Sequence, residues 1–358
     1  MNGTEVGSLL QMAAAALVAL AAVSAAAGWY ALGALVLAAL FTLGQNRLSR
    51  MVQEQPEGPR WFADGAAVAV GVGRLALPAA AFGVYLFPAH RVAAGLVLVA
   101  LVLAADLLGI RNTTYHRRWL VGVMVATTAV FLAVCLAIAP VPTMTTGHDA
   151  SGTPTLVAGL RALGLAVVPL AAVPLGTGTR ATRYLPFVGA VIGLIVVTAA
   201  ALYQLGATRF GLSPSSLRTV FVAAEARTLL PVLMVTVVVV SVPAALDGIQ
   251  QARLPLGGRR ILSRALTATP CAVFACALVV ILDPMEVLLS CAALLLGHTL
   301  TLGVMVLLSR RSALAVVMVV VAAGVLSTLP AFSLFTGVVL VTGTMCGVWL
   351  GQRTRSRH

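Results

Sequence analysis

Long apolar stretches dominate the chain, and short groups of charged residues, proline and glycine separate them. A helix that spans a membrane needs about 20 consecutive, mostly apolar residues. Cutting the chain at its polar groups yields twelve candidate segments near that length: 8–27, 29–46, 65–87, 92–110, 119–140, 155–177, 184–207, 220–246, 262–282, 285–309, 312–329 and 332–351. The pattern therefore predicts an all-α polytopic membrane protein with twelve transmembrane helices.

The first and last pairs of segments are joined without a polar loop. A single helix over 8–44 would be about 55 Å long, against a hydrocarbon core of about 30 Å. We therefore expect a turn near Gly28, and Pro330 predicts the corresponding break near the C-terminus.

Composition agrees with this class, because 60% of the residues are hydrophobic and 9% are charged. Soluble domains carry about a quarter charged residues. The net charge of +13 would suggest nucleic acid in a soluble protein. Here the arginines cluster between the apolar segments. Membrane proteins carry such an excess of basic residues in the loops that stay inside the cell. We therefore expect the lipid bilayer to be a partner of the protein, and we expect no nucleic-acid partner.

The arginines also predict an orientation. With the N-terminus inside, seventeen lie on the inner side and four on the outer side, the inner ones in segments 47–60, 111–118, 180–183, 253–264, 310–311 and 353–357. This asymmetry follows the positive-inside rule. We expect one membrane domain over 1–358, with helices 1–5 at about 8–140, 6–10 at about 155–309 and 11–12 at about 312–351. It would lie in the plasma (inner) membrane of a bacterium, with both termini cytoplasmic.

Among the charged residues of the predicted helices, two are candidates for a buried pair, whereas Arg161, Glu225 and Asp247 lie near helix ends, where side chains extend to the interface. Arg74 lies about ten residues into helix 3, and Asp106 lies five residues before Arg111 at the inner end of helix 4. Ionisable groups in a membrane need a partner or water, and they often mark a functional path. Their similar depth predicts an Arg74–Asp106 pair. The pair would either lock two helices together or line the path of a polar solute.

Helices 6 and 10 contain further candidates. Pro169, Pro174 and Gly176 should kink or open helix 6, and transporters use such breaks as binding sites. His298 in helix 10 would either relay protons or form a hydrogen bond within the bundle. No nucleophile motif, metal-ligand spacing or phosphate-binding loop occurs, so we expect no enzyme, no cofactor and no metal site.

Several segments resemble the amino acid–polyamine–organocation (APC) transporter superfamily. Asp106, Gly109, Ile110 and Arg111 match the motif that ends the family's fourth helix, with Asp in place of the usual Asn. Further similar stretches begin at 27, at 183 and at 252, and the last contains Thr269-Pro270. Arg310-Arg311 matches the end of the tenth helix.

The resemblance implies two inverted five-helix repeats followed by two C-terminal helices. It also implies a substrate near the midplane, bound by unwound parts of helices 1 and 6 and flanked by helices 3, 8 and 10. The family's glycine break in helix 1 would fall at Ala13, Ala14 and Ala15, where alanine favours a continuous helix. The family's signatures in helices 6 and 8 are missing as well.

Two functions remain open. The first is a secondary active transporter of a small amino-acid-like or amine-like solute, working by alternating access and coupled to a proton or sodium ion. The second is a transporter-like membrane protein that does not transport and serves as a partner or assembly subunit. The continuous helix 1 and the short loops favour the second.

Overall fold

The computed structural model describes residues 3–54, 60–110, 114–138, 155–173, 180–212, 215–256, 261–310 and 312–355. Over these ranges the chain is helical and contains no strand. The helices are α1 Gly3–Ala27, α2 Ala31–Gln53, α3 Arg60–Leu86, α4 Arg91–Leu107, α5 Thr114–Ala137, α6 Leu156–Leu170, α7 Arg180–Leu212, α8 Ser216–Ala223, α9 Leu230–Arg253, α10 Ile261–Ile281, α11 Pro284–Ser309, α12 Ala313–Leu326 and α13 Ala331–Arg355.

Nine stretches of the described chain are long and apolar enough to cross a membrane, and the first of them, Gly7–Gln53, comprises α1 and α2 together. The apolar helices α6 and α12 are shorter. The predicted all-α, multi-pass membrane class is confirmed. The count of twelve crossings and the inverted repeats remain predictions.

Both predicted breaks are present. Gly28 has φ +56°, a conformation that favours glycine, and it begins a 3-10 turn over Gly28–Tyr30 between α1 and α2. At the other end α12 stops at Leu326, and α13 begins one residue after Pro330. Each long apolar run is therefore divided into two helices.

The interior of the bundle is built around α1, α3 and α11, which are mostly buried. The helices α4, α5, α10 and α13 expose most of their apolar surface, as membrane-facing helices do. Leu101 of α4, for example, is 63% exposed although it is fully apolar. The polar groups described below lie among the buried helices, where lipid does not reach them.

Helices α3 and α9 cross at very short range through two glycines. A Cβ atom added to Gly71 would lie 2.5 Å from the Cα of Ala252. One added to Gly248 would lie 2.8 Å from the carbonyl oxygen of Arg74. The two backbones are therefore in direct contact, as small residues allow in membrane helices.

Helix contacts repeat between the first five long helices and the next five, counted as α6, α7, α9, α10 and α11. In this comparison α1 corresponds to α6, α2 to α7, α3 to α9, α4 to α10 and α5 to α11. The contact of α1 with α7 then corresponds to that of α6 with α2, and the contact of α3 with α11 corresponds to that of α9 with α5. Likewise, the contact of α1 with α5 corresponds to that of α6 with α11, and the contact of α4 with α9 corresponds to that of α10 with α3. These four pairings are thus preserved when the two groups of helices are exchanged, whereas the contact of α1 with α9 has no comparable counterpart between the described residues of α6 and α3.

The stretch between the predicted segments 184–207 and 220–246 contains helical structure. α7 kinks at Gly206, where φ is +70°, and continues to Leu212, and α8 follows at Ser216. The hydroxyl of Tyr85 donates to the carbonyl of Leu17 at 2.9 Å and accepts from the backbone N–H of Leu217 at 3.4 Å. Through Tyr85, near the end of α3, these bonds connect α8 with the middle of α1.

Candidate functional site

The candidate site is built on the end of α6 in the protein interior. α6 has 15 residues, and all of them from Ala162 to Leu170 are buried. Its length of about 22 Å is too short for a hydrocarbon core of about 30 Å. Pro169 lies in its last turn and removes one backbone donor. The helix therefore ends among other helices. The next three residues donate to the carbonyls of Val167, Pro169 and Leu170, and the carbonyl of Ala171 needs a donor from elsewhere.

Arg74 supplies such a donor. Its guanidinium donates through one terminal nitrogen to the carbonyl of Ala171, the residue after α6, at 2.6 Å. The other terminal nitrogen donates to Oε1 of Gln251 on α9, also at 2.6 Å. One partly buried side chain of α3 thus joins the end of α6 to α9. A cation beside a helix C-terminus is also favoured by the helix dipole.

A second amide extends this arrangement to α1. Nε2 of Gln251 donates to Oε1 of Gln11 at 3.2 Å. Gln11 is 2% exposed, and its own Nε2 is buried with no hydrogen-bond partner in the described part of the chain. Arg74, Gln251 and Gln11 therefore form a polar chain across α3, α9 and α1, with one donor left to satisfy.

A cavity of about 20 Å³ lies beside this polar chain. Its lining is mostly apolar and includes Gln11, Ala15, Arg74 and Cys291. The Sγ of Cys291 on α11 donates to the carbonyl of Gly73 at 3.3 Å. This volume is enough for about one water molecule. No organic solute fits there in this conformation.

The predicted Arg74–Asp106 pair is wrong, because each charge has another partner. Asp106 is 1% exposed, and its Oδ2 lies 3.1 Å from Nε of Arg253 at the end of α9. The similar depth of Arg74 and Asp106 did not identify the helix that each side chain faces. Arg253 lies in the last turn of α9, and its side chain is mostly buried against Asp106.

The other predicted residues are divided among several places. Ala13, Ala14 and Ala15 lie in the continuous helix α1, and Ala15 lines the cavity. His298 lies on α11 and is not among the cavity-lining residues, although it interacts electrostatically with Arg74, and its Nδ1 is buried without a hydrogen-bond partner among the described residues. Pro174 and Gly176 lie outside the described residues.

Sequence reasoning missed Gln11, Gln251 and Cys291. The sequence interpretation concentrated on charged residues in the apolar segments, whereas the two glutamines are neutral and lie near segment ends. Glutamine is nonetheless costly inside a membrane unless it is hydrogen-bonded, so its occurrence in Ser8–Gly44 was a usable signal. Among the described residues, no group of three or more His, Cys, Asp or Glu side chains could hold a metal ion.

No protein-family model and no curated protein matches the chain. Several solved structures do match the chain. They include the manganese transporter of Eremococcus coleocola as a histidine-to-alanine mutant, at 14% identity, with a TM-score of 0.50 over 98% of this chain and 93% of that chain. A glutamate-to-glutamine mutant of the same transporter matches at 14% identity with a TM-score of 0.51, over the same shares of both chains. This chain shares the fold of that transporter.

A third structure of the same transporter, in complex with an aromatic bis-isothiourea substituted compound, matches at 15% identity with a TM-score of 0.50, over 98% of this chain and 92% of that chain. These matches correct the sequence interpretation. The resemblance to the APC superfamily is wrong, because the matching structures are manganese transporters. The local motifs behind it, such as Gly109-Ile110-Arg111, are short enough to recur in unrelated membrane proteins.

Proposed function

We propose that this multi-pass membrane protein is a secondary transporter that moves a small organic solute by alternating access. The observation that carries the proposal is the interior end of α6, where Arg74 binds the Ala171 carbonyl beside a cavity. Discontinuous helices of this kind form substrate and ion sites in transporters. The fold, shared with a transporter along nearly the whole chain, supports the same proposal.

The polar groups at the cavity favour a solute that carries oxygen acceptors. Arg74 has only donors, and Gln11 has a buried Nε2 without a partner in the described chain. A carboxylate would bind both groups and would compensate the guanidinium charge. Of the two solute classes expected from the sequence, an amino-acid-like solute therefore fits better than a simple amine.

Manganese, named for the structural neighbour, is not the substrate that we propose for this chain. Carbonyls at the ends of broken helices coordinate cations in many transporters. Here the Ala171 carbonyl already binds the guanidinium of Arg74. That group carries a permanent positive charge, so a divalent cation nearby would be strongly repelled.

We further propose twelve crossings in two inverted five-helix repeats plus two C-terminal helices, with both termini cytoplasmic in a bacterial inner membrane. The exchangeable helix contacts support the repeats. The ion pairs support the alternation of the helix ends between the two sides of the membrane, because each joins residues assigned to the same side: Arg253–Asp106 and Arg310–Glu54 inside, and Arg91–Asp283 outside. The arginine asymmetry supports the cytoplasmic assignment.

Purified protein in liposomes tests the transport proposal. Uptake of labelled amino acids, other carboxylates, amines and Mn²⁺ is compared with that of empty liposomes, with and without proton and sodium gradients. We expect gradient-dependent uptake of a carboxylate-bearing solute, its loss in Arg74→Leu, and its retention in Arg118→Leu, which changes an exposed arginine. Uptake of Mn²⁺ alone would contradict the proposed solute class.

A second candidate is the transporter-like protein that does not transport and serves as a partner or assembly subunit. Two observations favour it: α1 continues without a break from Gly3 to Ala27, and the cavity holds only about 20 Å³. This candidate predicts that the bundle does not open. It also predicts that a membrane protein partner purifies with the chain from its native membrane.

A further inference from the structure

A second and larger cavity lies at the surface of the bundle, between α2, α7 and α12. Its volume is about 340 Å³, and it is lined by Leu40, Leu43, Gly44, Arg47, Arg50, Tyr184 and Leu314. It shares no lining residue with the cavity beside Arg74. Volumes of this size are typical of sites for small molecules.

The lining of this cavity changes from apolar to basic along α2. Leu40, Leu43, Gly44 and Arg47 follow helical spacing on one face of α2, and Arg50 lies near its end. The distance along the axis from Leu40 to Arg50 is about 15 Å. Leu40 is 60% exposed and so faces the membrane. The cavity therefore has an apolar end in the membrane and a cationic end near its surface.

Helix α12 forms the wall of the cavity opposite α2, and the two helices are in close contact. A Cβ atom added to Gly44 would lie 2.5 Å from Sδ of Met318. Leu314 lies one turn before Met318 and contributes to the lining. The cavity is thus formed between packed helices rather than by side chains alone. Tyr184 of α7 adds an amphipathic ring, of the kind enriched at membrane interfaces.

We propose that this cavity binds the phosphate headgroup and the first part of an acyl chain of an anionic phospholipid. The two arginines would bind the phosphate through charge-assisted hydrogen bonds. The leucines of α2 and α12 would contact the acyl chain, so the lipid would match the cavity in its order from a charged headgroup to an apolar tail. Basic pockets between membrane helices on the cytoplasmic side bind such headgroups. The proposal requires the orientation given above, but it does not require transport.

The test uses purified full-length protein in neutral detergent, titrated with phosphatidylglycerol or with phosphatidylcholine of identical acyl chains. Retained lipid is counted by native mass spectrometry, and the melting temperature is recorded. We expect phosphatidylglycerol to be retained and to raise the melting temperature, with little effect of phosphatidylcholine. In Arg47→Gln the affinity for phosphatidylglycerol should fall on the order of tenfold.

Matched variants separate the site from general charge effects. Arg118→Gln removes an exposed arginine outside the cavity lining and should bind phosphatidylglycerol like the wild type. Arg47→Lys should recover part of the affinity, which also shows that the variants fold. Equal binding of the two lipids, equal losses in Arg47→Gln and Arg118→Gln, or full competition by inorganic phosphate would each overturn the proposal.

Discussion

At Arg74 a single side chain holds three helices together. Its guanidinium bonds the Ala171 carbonyl and the Gln251 amide, and Gln251 in turn bonds Gln11. A charge inside a membrane protein is tolerated when its hydrogen bonds are satisfied and lipid is excluded. These hydrogen bonds thus satisfy both the guanidinium and the Ala171 carbonyl at an interior helix end.

Replacing Arg74 by Met should destabilise the fold. The change leaves the Ala171 carbonyl and the Gln251 Oε1 without their present donor, and each unsatisfied buried group costs about 1–3 kcal/mol. Unfolding in mixed micelles, followed by circular dichroism, measures the free energy. Arg118→Met is the control and should be nearly neutral, because Arg118 is exposed. Equal stability of the two variants would show that the Arg74 bonds contribute nothing.

The Asp106–Arg253 pair predicts strong coupling in a double-mutant cycle. Loss of one partner leaves a buried charge unpaired, which costs about 3–5 kcal/mol. Asp106→Leu should therefore be strongly destabilised, and Asp106→Leu with Arg253→Met should recover much of the loss. The combination of Asp106→Leu with Arg74→Met should recover none, because the two side chains have separate partners. Recovery by the Arg74 change would contradict the pairing described here.

At this scale the sequence predicted that Arg74 and Asp106 lie inside the bundle, but it predicted neither their partners nor the burial of Asp247. Depth along a helix follows from counting residues, and it placed Arg74 and Asp106 inside the bundle correctly. The direction in which a side chain faces depends on how the helices rotate and pack. Here the close contact at the glycines of α3 and α9 determines that direction. Gln251 and Arg253 belong to the helix brought nearest by those glycines.

Among the elements, the crossing of α3 and α9 makes the clearest prediction. Gly248→Ala would place a methyl group 2.8 Å from the Arg74 carbonyl oxygen, which cannot move away without shifting α3. Such overpacking costs about 1–3 kcal/mol. Gly189→Ala is the matched control, since its Cβ atom would meet nothing within 4 Å. Melting temperatures of the two variants should differ accordingly, and equal values would show that the crossing can relax.

The elements themselves were largely predictable, because length and breakers govern them. The turn at Gly28, the break at Pro330 and the interruption of helix 6 after Pro169 all follow from residue types that disfavour a continuous helix. α8 was not predicted. Its eight residues are too few for a periodic pattern, and its buried Phe221 packs edge-on against Phe131 of α5.

For the whole molecule, the proposed function requires that the closed cavity opens. Cys291 lines the cavity and is 5% exposed, so its thiol reports opening. In a variant that retains only Cys291, we expect modification by a water-soluble thiol reagent in liposomes, faster when a transported solute is present. Mass spectrometry of the labelled protein measures the rate.

The control for this experiment retains only Cys271, which is 3% exposed and lies outside the cavity lining. It should stay unmodified under the same conditions. Protection of both thiols at all solute concentrations would contradict alternating access and would favour the partner or assembly role. Equal modification of both would indicate general unfolding instead of opening.

The bond from Arg74 to the end of α6 has a further consequence for any regulation of this protein. A dissolved ion occupies its site to an extent that depends on its concentration, whereas a group on the same chain has an effective concentration that never changes. The positive charge at this helix end can be neither diluted nor removed by a chelator. Whatever conformation it stabilises is therefore independent of the metal content of the surroundings.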